Sequence, residues 1–244
     1  MGKLKDFFWP SLCSIAPIVI NPGMEGGIVQ SDRAVTLVGG GDLRRARLRQ
    51  ALRLAPVLVA ADGGANVAAA MGLLPEAVIG DLDSIRPEVR TSLPQARVIH
   101  VTEQETTDFE KCLTRTEAPF RLAVGFTGAR SDHALAVCNA LVRHPDRLCL
   151  VLSETDVTFV APPRLHLPLA SGTRVSLFPM GAVQATSRGL RWRVDGIAFA
   201  PDGAIGTSNE ATGPVTLETS APRMLVILPR QCLRVAIAAL APGR

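Results

Sequence analysis

Short, continuous runs of apolar residues alternate with more polar segments from Ala34 to about residue 156 of this 244-residue chain. Runs without polar interruptions are typical of strands that are buried on both faces of a parallel sheet. The segments between them carry helix signals, including Pro87 in a first turn and a capping box formed by Thr107 and Glu110. The pattern predicts an α/β domain with a Rossmann-like parallel sheet, whose strands lie at 35–38, 56–61, 77–79, 98–101 and 122–124.

The pattern changes after about Asp156, where apolar and polar residues begin to alternate with a period of two. This alternation predicts a smaller all-β sandwich domain with strands at 173–178, 190–194, 215–218 and 224–228. Leu190, Trp192 and Val194 share one face of the second segment, so the pattern alone predicts that Trp192 is a core residue. The chain therefore divides into a poorly structured N-terminal extension (1–32), an α/β domain (33–160) and a β-sandwich domain (161–244).

Acidic residues follow most of the predicted strands of the first domain. Because ligands of open parallel sheets bind outside the carboxyl ends of the strands, we expect these side chains to converge at one edge. Convergent carboxylates repel one another unless a cation lies among them, and their oxygens suit Mg²⁺ bound together with substrate phosphates. The acidic residues at this edge are Asp62, Asp81, Asp83, Asp108 and Asp132.

Each of these motifs has an ordinary structural interpretation when it stands alone. An Asp-x-Asp pair and the sequence Asp62-Gly63-Gly64 are common in turns, and Thr107-Asp108 is typical of a helix start. The glycines at 39–41 do not form a GxGxxG fingerprint, and the sequence contains no Walker A motif. Glycine-rich turns can nevertheless bring backbone N–H groups close to a phosphate. The occurrence of all these motifs together at one edge indicates a metal-dependent phosphate site. The role of His133 in it stays open.

Composition and charge narrow the classes of function. The formal charge of +4 comes from scattered arginines, which does not indicate nucleic-acid binding. The five cysteines are odd in number and contain no Cys-x-x-Cys, which argues against a disulfide framework and a zinc site and favours a cytoplasmic protein. No apolar stretch approaches the roughly 20 residues of a membrane helix, so no membrane partner is expected.

Six short stretches occur in order between about residues 34 and 228. They are ADGGAN (61–66), GDLDSI (80–85), QETTDFEK (104–111), GFTGARSDH (125–133), TSRGLRW (186–192) and TSNEATG (207–213). Any one of them is weakly specific, whereas all six in this order are a specific combination. In these stretches the chain resembles the thiamine pyrophosphokinase family, although Glu105 departs from the aspartate expected in many members.

The resemblance implies transfer of pyrophosphate from ATP to the thiamine hydroxyl, giving thiamine diphosphate and AMP. It also implies a nucleotide domain, a β-sandwich domain and a homodimer with active sites at the subunit interface. The catalytic residues carried over by motif are Asp62, Asp81, Asp83, Asp108 and Arg130, of which Asp81, Asp83 and Asp108 would hold Mg²⁺. ATP would be bound by Gln104, Lys111, Arg130 and Asp132, and thiamine by Trp192, Ser208 and Asn209.

Two other functions fit parts of this pattern. A different Mg²⁺-dependent nucleotide transferase that uses Asp-x-Asp would release pyrophosphate instead of AMP. A sensor that binds thiamine or a nucleotide without turnover would need neither all the carboxylates nor Arg130. Their presence together therefore favours the enzyme.

Overall fold

The first part of the chain follows the predicted alternation of strands and helices. A computed structural model describes residues 18–21, 28–94, 97–128 and 130–241. Its first nine strands are β1 (Val19–Asn21), β2 (Ile28–Gln30), β3 (Val35–Val38), β4 (Val57–Ala61), β5 (Ala77–Gly80), β6 (Val98–His100), β7 (Thr116–Glu117), β8 (Arg121–Val124) and β9 (Cys149–Leu152). Its first five α-helices are α1 (Arg45–Leu52), α2 (Gly64–Ala70), α3 (Pro87–Ser92), α4 (Asp108–Thr114) and α5 (Ser131–Arg143).

Parallel strands form the sheet of this part, in the order β9-β8-β3-β4-β5-β6. Apolar side chains of α1, α2 and α3 belong to the core on one face, and those of α4 and α5 to the core on the other. Cover on both faces accounts for the unbroken apolar runs in the sequence. From β3 the chain continues to β4, β5 and β6 on one side of the sheet and then to β8 and β9 on the other. The order reverses between β3 and β8, which is where open parallel sheets form a ligand crevice.

The second part is a smaller β structure, as predicted. Its strands are β10 (Asp156–Val160), β11 (Arg164–Leu167), β12 (Arg174–Pro179), β13 (Val183–Leu190), β14 (Ala198–Phe199), β15 (Gly206–Thr219) and β16 (Met224–Pro229). A short 3₁₀ helix, Arg230–Cys232, and α6 (Leu233–Leu240) follow them. The pairings among these strands are antiparallel, and β10 also pairs with β9, so one 13-stranded sheet runs through both parts.

Two short strands lie inside the segment that the sequence predicts to be a poorly structured extension. β1 pairs with β2, and β2 pairs in parallel with β7, with Val29 fully buried. Residues 19–21 and 28–30 of this segment are thus strands in the structure, and Ile20 and Val29 pack against the α/β core. Residues 1–17 and 22–27 lie outside the described residues, and the domain boundaries stay a prediction. Among the described helices, none is long and apolar enough to cross a membrane.

Candidate functional site

A cleft of about 990 Å³ lies at the carboxyl edge of the parallel sheet, across the strand reversal. Its walls come from the turns after β3, β4, β5 and β8 and from the first turns of α4 and α5. We call it the aspartate cleft. Of the residues predicted to act in catalysis or ATP binding, those that line it are Asp62, Asp81, Asp83, Gln104, Asp108, Lys111 and Arg130.

Three carboxylates converge in the cleft. One oxygen each of Asp62, Asp81 and Asp108 lies within 4.8 Å of the others. Asp83 is outside this group, and its Oδ1 accepts a hydrogen bond of 2.8 Å from the Ser84 hydroxyl. The metal set predicted from the sequence contained Asp83 and not Asp62, whereas the geometry brings Asp62 into the cluster.

Asp62 has a buried oxygen without a hydrogen-bond partner. The residue is only 1% exposed and has a φ of 40°, a left-handed conformation that non-glycine residues rarely adopt. Its Oδ2 accepts the Ser84 N–H at 3.2 Å, while Oδ1 is buried and has no hydrogen-bond partner among the described residues. Burial raises the pKa of the Asp62 carboxyl. A buried polar atom of this kind requires a partner, and a cation among three carboxylates would provide one.

The other two carboxyls have opposite pKa shifts. Burial, followed by the nearby Asp62 charge, raises the pKa of Asp108 to about 6. The Gln104 amide donates to Asp81 Oδ2 at 3.0 Å, and this hydrogen bond is the main cause of the lowered pKa of Asp81. The Lys111 ammonium lies 3.8 Å from Asp81 and 4.0 Å from Asp108, and its side chain is 2% exposed. One lysine against three carboxylates leaves net negative charge, and the all-oxygen donor set fits Mg²⁺.

Helix α4 places Asp108 and Lys111 on the same side because they are three residues apart. Thr107 is the N-cap, and its hydroxyl accepts the Glu110 N–H at 3.3 Å, which is the N-cap half of the predicted capping box. The Glu110 carboxylate accepts a hydrogen bond from Arg143 instead. Phe109 and Leu113 bury the opposite side of the helix in the core. The local sequence of α4 thus fixes both charged groups at the edge of the cleft.

The raised pKa of Asp108 predicts how pH affects stability without metal. Its folded-state pKa of about 6 exceeds the ordinary value of 3.8, so the free energy of unfolding falls as pH rises through this window. Because Mg²⁺ binds the ionised carboxylates, it should raise the melting temperature more at about pH 7.5 than at about pH 5. Thermal unfolding with and without Mg²⁺ at both pH values checks this. An equal increase at both would contradict the metal site.

Sequence reasoning missed the role of Asn66, the last residue of ADGGAN. Its Nδ2 donates to the Ser84 carbonyl at 2.8 Å, and its Oδ1 accepts the Arg86 N–H at 2.9 Å. These bonds tie α2 to the loop that carries Asp81 and Asp83. Leu82 in that loop has a φ of 69°, so the loop holds a strained backbone that its neighbours must stabilise.

Replacing Asn66 by alanine should loosen this loop without unfolding the chain. We expect the Mg²⁺ concentration for half-maximal activity to rise about 10-fold, because groups that orient metal ligands have effects of this size. Turnover at saturating Mg²⁺ should change little. A Mg²⁺ titration of the rate measures both, with Thr91→Val as the control, since it removes one hydrogen bond from α3, to the Pro87 carbonyl. An unchanged Mg²⁺ requirement would show that Asn66 does not orient the ligands.

The backbone N–H groups of the glycine turn after β3 mainly pair with the chain that follows β8. The N–H groups of Gly39 and Gly41 donate to the carbonyls of Val124 and Gly125, both at 2.9 Å. A Cβ atom on Gly39 would lie 2.5 Å from the Gly125 oxygen, so this close approach requires glycine. These two N–H groups are therefore used to close the crevice between β3 and β8 and are not free for a phosphate.

Arg130 and Asp132 lie at the exposed mouth of the cleft. The Arg130 guanidinium binds both carboxylate oxygens of Asp132, at 3.1 and 2.5 Å, and this pairing lowers the pKa of Asp132 to about 2. Arg130 lines the cleft, as does His133, whereas Asp132 does not. The structure thus places Asp132 as the partner of Arg130, and its predicted contact with ATP stays a prediction.

The residues predicted to bind thiamine lie together in the β part, away from this cleft. Within the described residues, none of Trp192, Ser208 and Asn209 lines the aspartate cleft. Trp192 lies beyond the end of β13 at Leu190 and is 55% exposed, so its pattern-based assignment to the core is wrong. Ser208 is also exposed and has a φ of 60°, whereas Asn209 is only 5% exposed.

Comparison with known proteins gives two matches to family profiles. The profile described as thiamin pyrophosphokinase, catalytic domain, matches residues 48–152. The profile described as thiamin pyrophosphokinase, vitamin B1 binding domain, matches residues 164–224. The three converging carboxylates and Arg130 thus fall in the first profile, and Trp192 falls in the second.

Curated relatives and solved structures agree with these profiles. Thiamine pyrophosphokinase 1 of Oryza sativa subsp. japonica is 32% identical over 199 residues, which is 68% of this chain and 72% of the rice protein. Thiamine pyrophosphokinase 1 of Arabidopsis thaliana is 30% identical over 55% of this chain and 58% of its own length. Thiamin pyrophosphokinase from Candida albicans superposes with a TM-score of 0.70 at 15% identity, covering 87% of this chain and 97% of its own.

Proposed function

The chain belongs to the thiamine pyrophosphokinase family, whose members transfer pyrophosphate from ATP to thiamine, and we propose that it performs this transfer in the aspartate cleft. It is a transferase that uses ATP as co-substrate and gives thiamine diphosphate and AMP. The main observation that supports the aspartate cleft as the active site is the group of three carboxylates. Within the described residues, the buried Asp62 Oδ1 of this group has no hydrogen-bond partner.

Mg²⁺ would be held by Asp62, Asp81 and Asp108, with Asp83 close to the same edge. When bound, the ion neutralises the phosphate oxygens that screen the attacked phosphorus. The protein groups hold the carboxylates in place: Gln104 fixes one oxygen of Asp81, and Lys111 limits the repulsion between Asp81 and Asp108. The cleft is therefore organised before the substrates bind. Such pre-organisation accounts for most of the rate enhancement of an enzyme of this kind.

We place ATP across the strand reversal between β3 and β8, as in Rossmann-like sheets. Arg130 is exposed at the mouth and is the one guanidinium of the predicted site, so it can bind phosphate oxygens when it leaves Asp132. Its charge would stabilise the additional negative charge that develops during transfer. Lys111, although buried, lines the same cleft and adds a second positive charge.

A homodimer would bring the two sets of residues together. Trp192 and Ser208 are exposed on the β part, and neither lines the cleft of its own chain in the described ranges. In a two-fold dimer, the β part of one subunit can face the cleft of the other, and the reverse contact follows by symmetry. We propose that thiamine binds there, with its pyrimidine ring stacked on Trp192.

The cysteine chemistry supports a cytoplasmic location. The four cysteines within the described residues are free thiols, and three of them are buried. Free thiols are maintained in a reducing compartment.

Removal of divalent cations tests the metal part of the proposal. With EDTA in excess, AMP formation from ATP and thiamine should stop, and added Mg²⁺ should restore it. A thermal melt of the EDTA-treated protein shows that the chain is still folded. AMP formation at an undiminished rate in EDTA would contradict the role of the carboxylate group.

A further inference from the structure

Asn209 uses its side-chain amide to hold the backbone of Trp192. Its Nδ2 donates to the Trp192 carbonyl at 2.6 Å, and its Oδ1 accepts the Trp192 N–H at 3.1 Å. The same Oδ1 also accepts the N–H of Glu210 at 2.8 Å. With 5% exposure, the Asn209 amide has little access to solvent or to a ligand.

The amide continues the sheet where the backbone ladder ends. Strand β13 stops at Leu190, and the Arg191 N–H still donates to the Glu210 carbonyl at 2.8 Å. At the next residue, the Asn209 side chain replaces a neighbouring strand as the hydrogen-bond partner of Trp192. On the far side of this residue, the buried Ser187 hydroxyl accepts the Val194 N–H at 3.2 Å. The segment that carries Trp192 is therefore fixed at both ends.

This segment presents the indole ring to solvent in a defined direction. Trp192 is 55% exposed, although tryptophan residues usually bury most of their surface. The Arg191 guanidinium carbon lies 5.0 Å from the ring centroid and covers one face. A planar ligand can thus stack on the remaining face only while the backbone of Trp192 keeps its position.

We infer that Asn209 is a positioning residue, which acts on thiamine through Trp192 and does not contact thiamine itself. This inference rests on the proposed function, because it takes Trp192 as the stacking surface for thiamine. It differs from the sequence-based assignment, in which Asn209 contacts thiamine, since its amide is already bonded to Trp192 and Glu210. Ser208, exposed beside it, keeps its predicted contact.

A double-mutant cycle separates the two roles. Asn209→Ala should raise the KM for thiamine about 10-fold and leave kcat at saturating thiamine nearly unchanged. In a Trp192→Ala background the same substitution should have no further effect on this KM, because the group it positions is gone. Thr219→Val is the matched control, since it removes one hydrogen bond of the β part, to the Pro162 carbonyl, far along the chain from Trp192.

Tryptophan fluorescence provides a readout that does not depend on turnover. The chain has two tryptophans and no tyrosine, so a Trp9→Phe background leaves Trp192 as the only strong emitter. Thiamine should quench this emission in the Thr219→Val protein at the same concentrations as in the background protein. In the Asn209→Ala protein, quenching should require about 10-fold more thiamine.

Three results would overturn the inference. Independent, multiplying effects of Asn209→Ala and Trp192→Ala on KM would mean that Asn209 contacts thiamine directly. A KM and a quenching curve equal to those of Thr219→Val would mean that Asn209 has only a structural role. If Asn209→Ala does not fold, Ser187→Ala should give a smaller KM increase of the same kind, and no increase would count against the inference. A normal KM in Trp192→Ala itself would instead refute the thiamine site of the proposed function.

Discussion

Asp81→Asn is expected to lower kcat by about 10³-fold, a loss that corresponds to several kcal/mol of charge stabilisation by a bound metal ion. Asp81 is one of the three carboxylates that converge, and an amide oxygen in its place has no net charge to hold Mg²⁺. The substitution removes a charge that repels Asp62 and Asp108, but it also removes one of the two carboxylates that pair with the buried Lys111, so we expect a small decrease in the melting temperature and no loss of the fold. Removing this charge should also bring the pKa of Asp108 closer to its ordinary value.

The measurement is kcat over a series of Mg²⁺ concentrations, together with a thermal melt. Asp42→Asn is the matched control, since Asp42 also follows a strand of the sheet, is exposed and does not line the aspartate cleft. Asp83→Asn tests the metal set predicted from the sequence. If Asp83 holds Mg²⁺, this variant should lose kcat as Asp81→Asn does. Near-normal kcat of Asp81→Asn at ordinary Mg²⁺ would refute the assignment of this residue.

Two defective variants, assayed at a thiamine concentration well below the raised KM of Trp192→Ala, should restore activity to each other when they are mixed as unfolded chains and refolded together. Asp81→Asn damages the cleft, and Trp192→Ala damages the thiamine surface of the β part. In a dimer whose sites combine both subunits, half of the mixed population is heterodimer, and each heterodimer has one intact site. The mixture should therefore reach about one quarter of the wild-type activity, whereas each variant alone stays near zero.

The same mixture distinguishes the proposed arrangement from its alternative. If Asp81 and Trp192 serve one site within a single chain, every chain in the mixture carries a damaged site and no activity returns. Refolded wild-type protein gives the reference for full recovery. A refolded Asp81→Asn sample gives the background.

The sequence predicted the α/β part well because its signals are local. Unbroken apolar runs, Pro87 at the start of α3 and the Thr107 capping box each specify an element without distant partners. The strands β1 and β2 were missed because their stability comes from pairing with each other and with β7, which is far along the chain. Pairings of that kind leave little trace in a local pattern.

The sequence predicted that the aspartates converge at one edge of the sheet, but it did not predict which of them come closest together. Strand ends bring the aspartates to one place, and this follows from sheet topology alone. The choice between Asp62 and Asp83 as the third member of the cluster depends on backbone conformation. The left-handed φ of Asp62 turns its side chain toward Asp81 and Asp108, and a sequence motif does not encode that angle.

Trp192 illustrates how a regular pattern can mislead. The alternation of Leu190, Trp192 and Val194 predicts that all three are buried, and this is confirmed for Leu190 and Val194. The strand ends before Trp192, however, and at Trp192 the Asn209 side chain binds the backbone in place of a neighbouring strand. A hydrogen bond between residues seventeen positions apart holds this segment, and periodicity contains no information about it.

The most direct test of the account is to identify the products formed by the purified chain with ATP, Mg²⁺ and thiamine, separated by mass. The account predicts AMP and thiamine diphosphate in equal amounts, which requires attack on the β-phosphorus in the aspartate cleft. Thiamine monophosphate with ADP would mean attack on the γ-phosphorus and would contradict the proposed placement of ATP. Thiamine binding without any product would contradict the assignment as an enzyme.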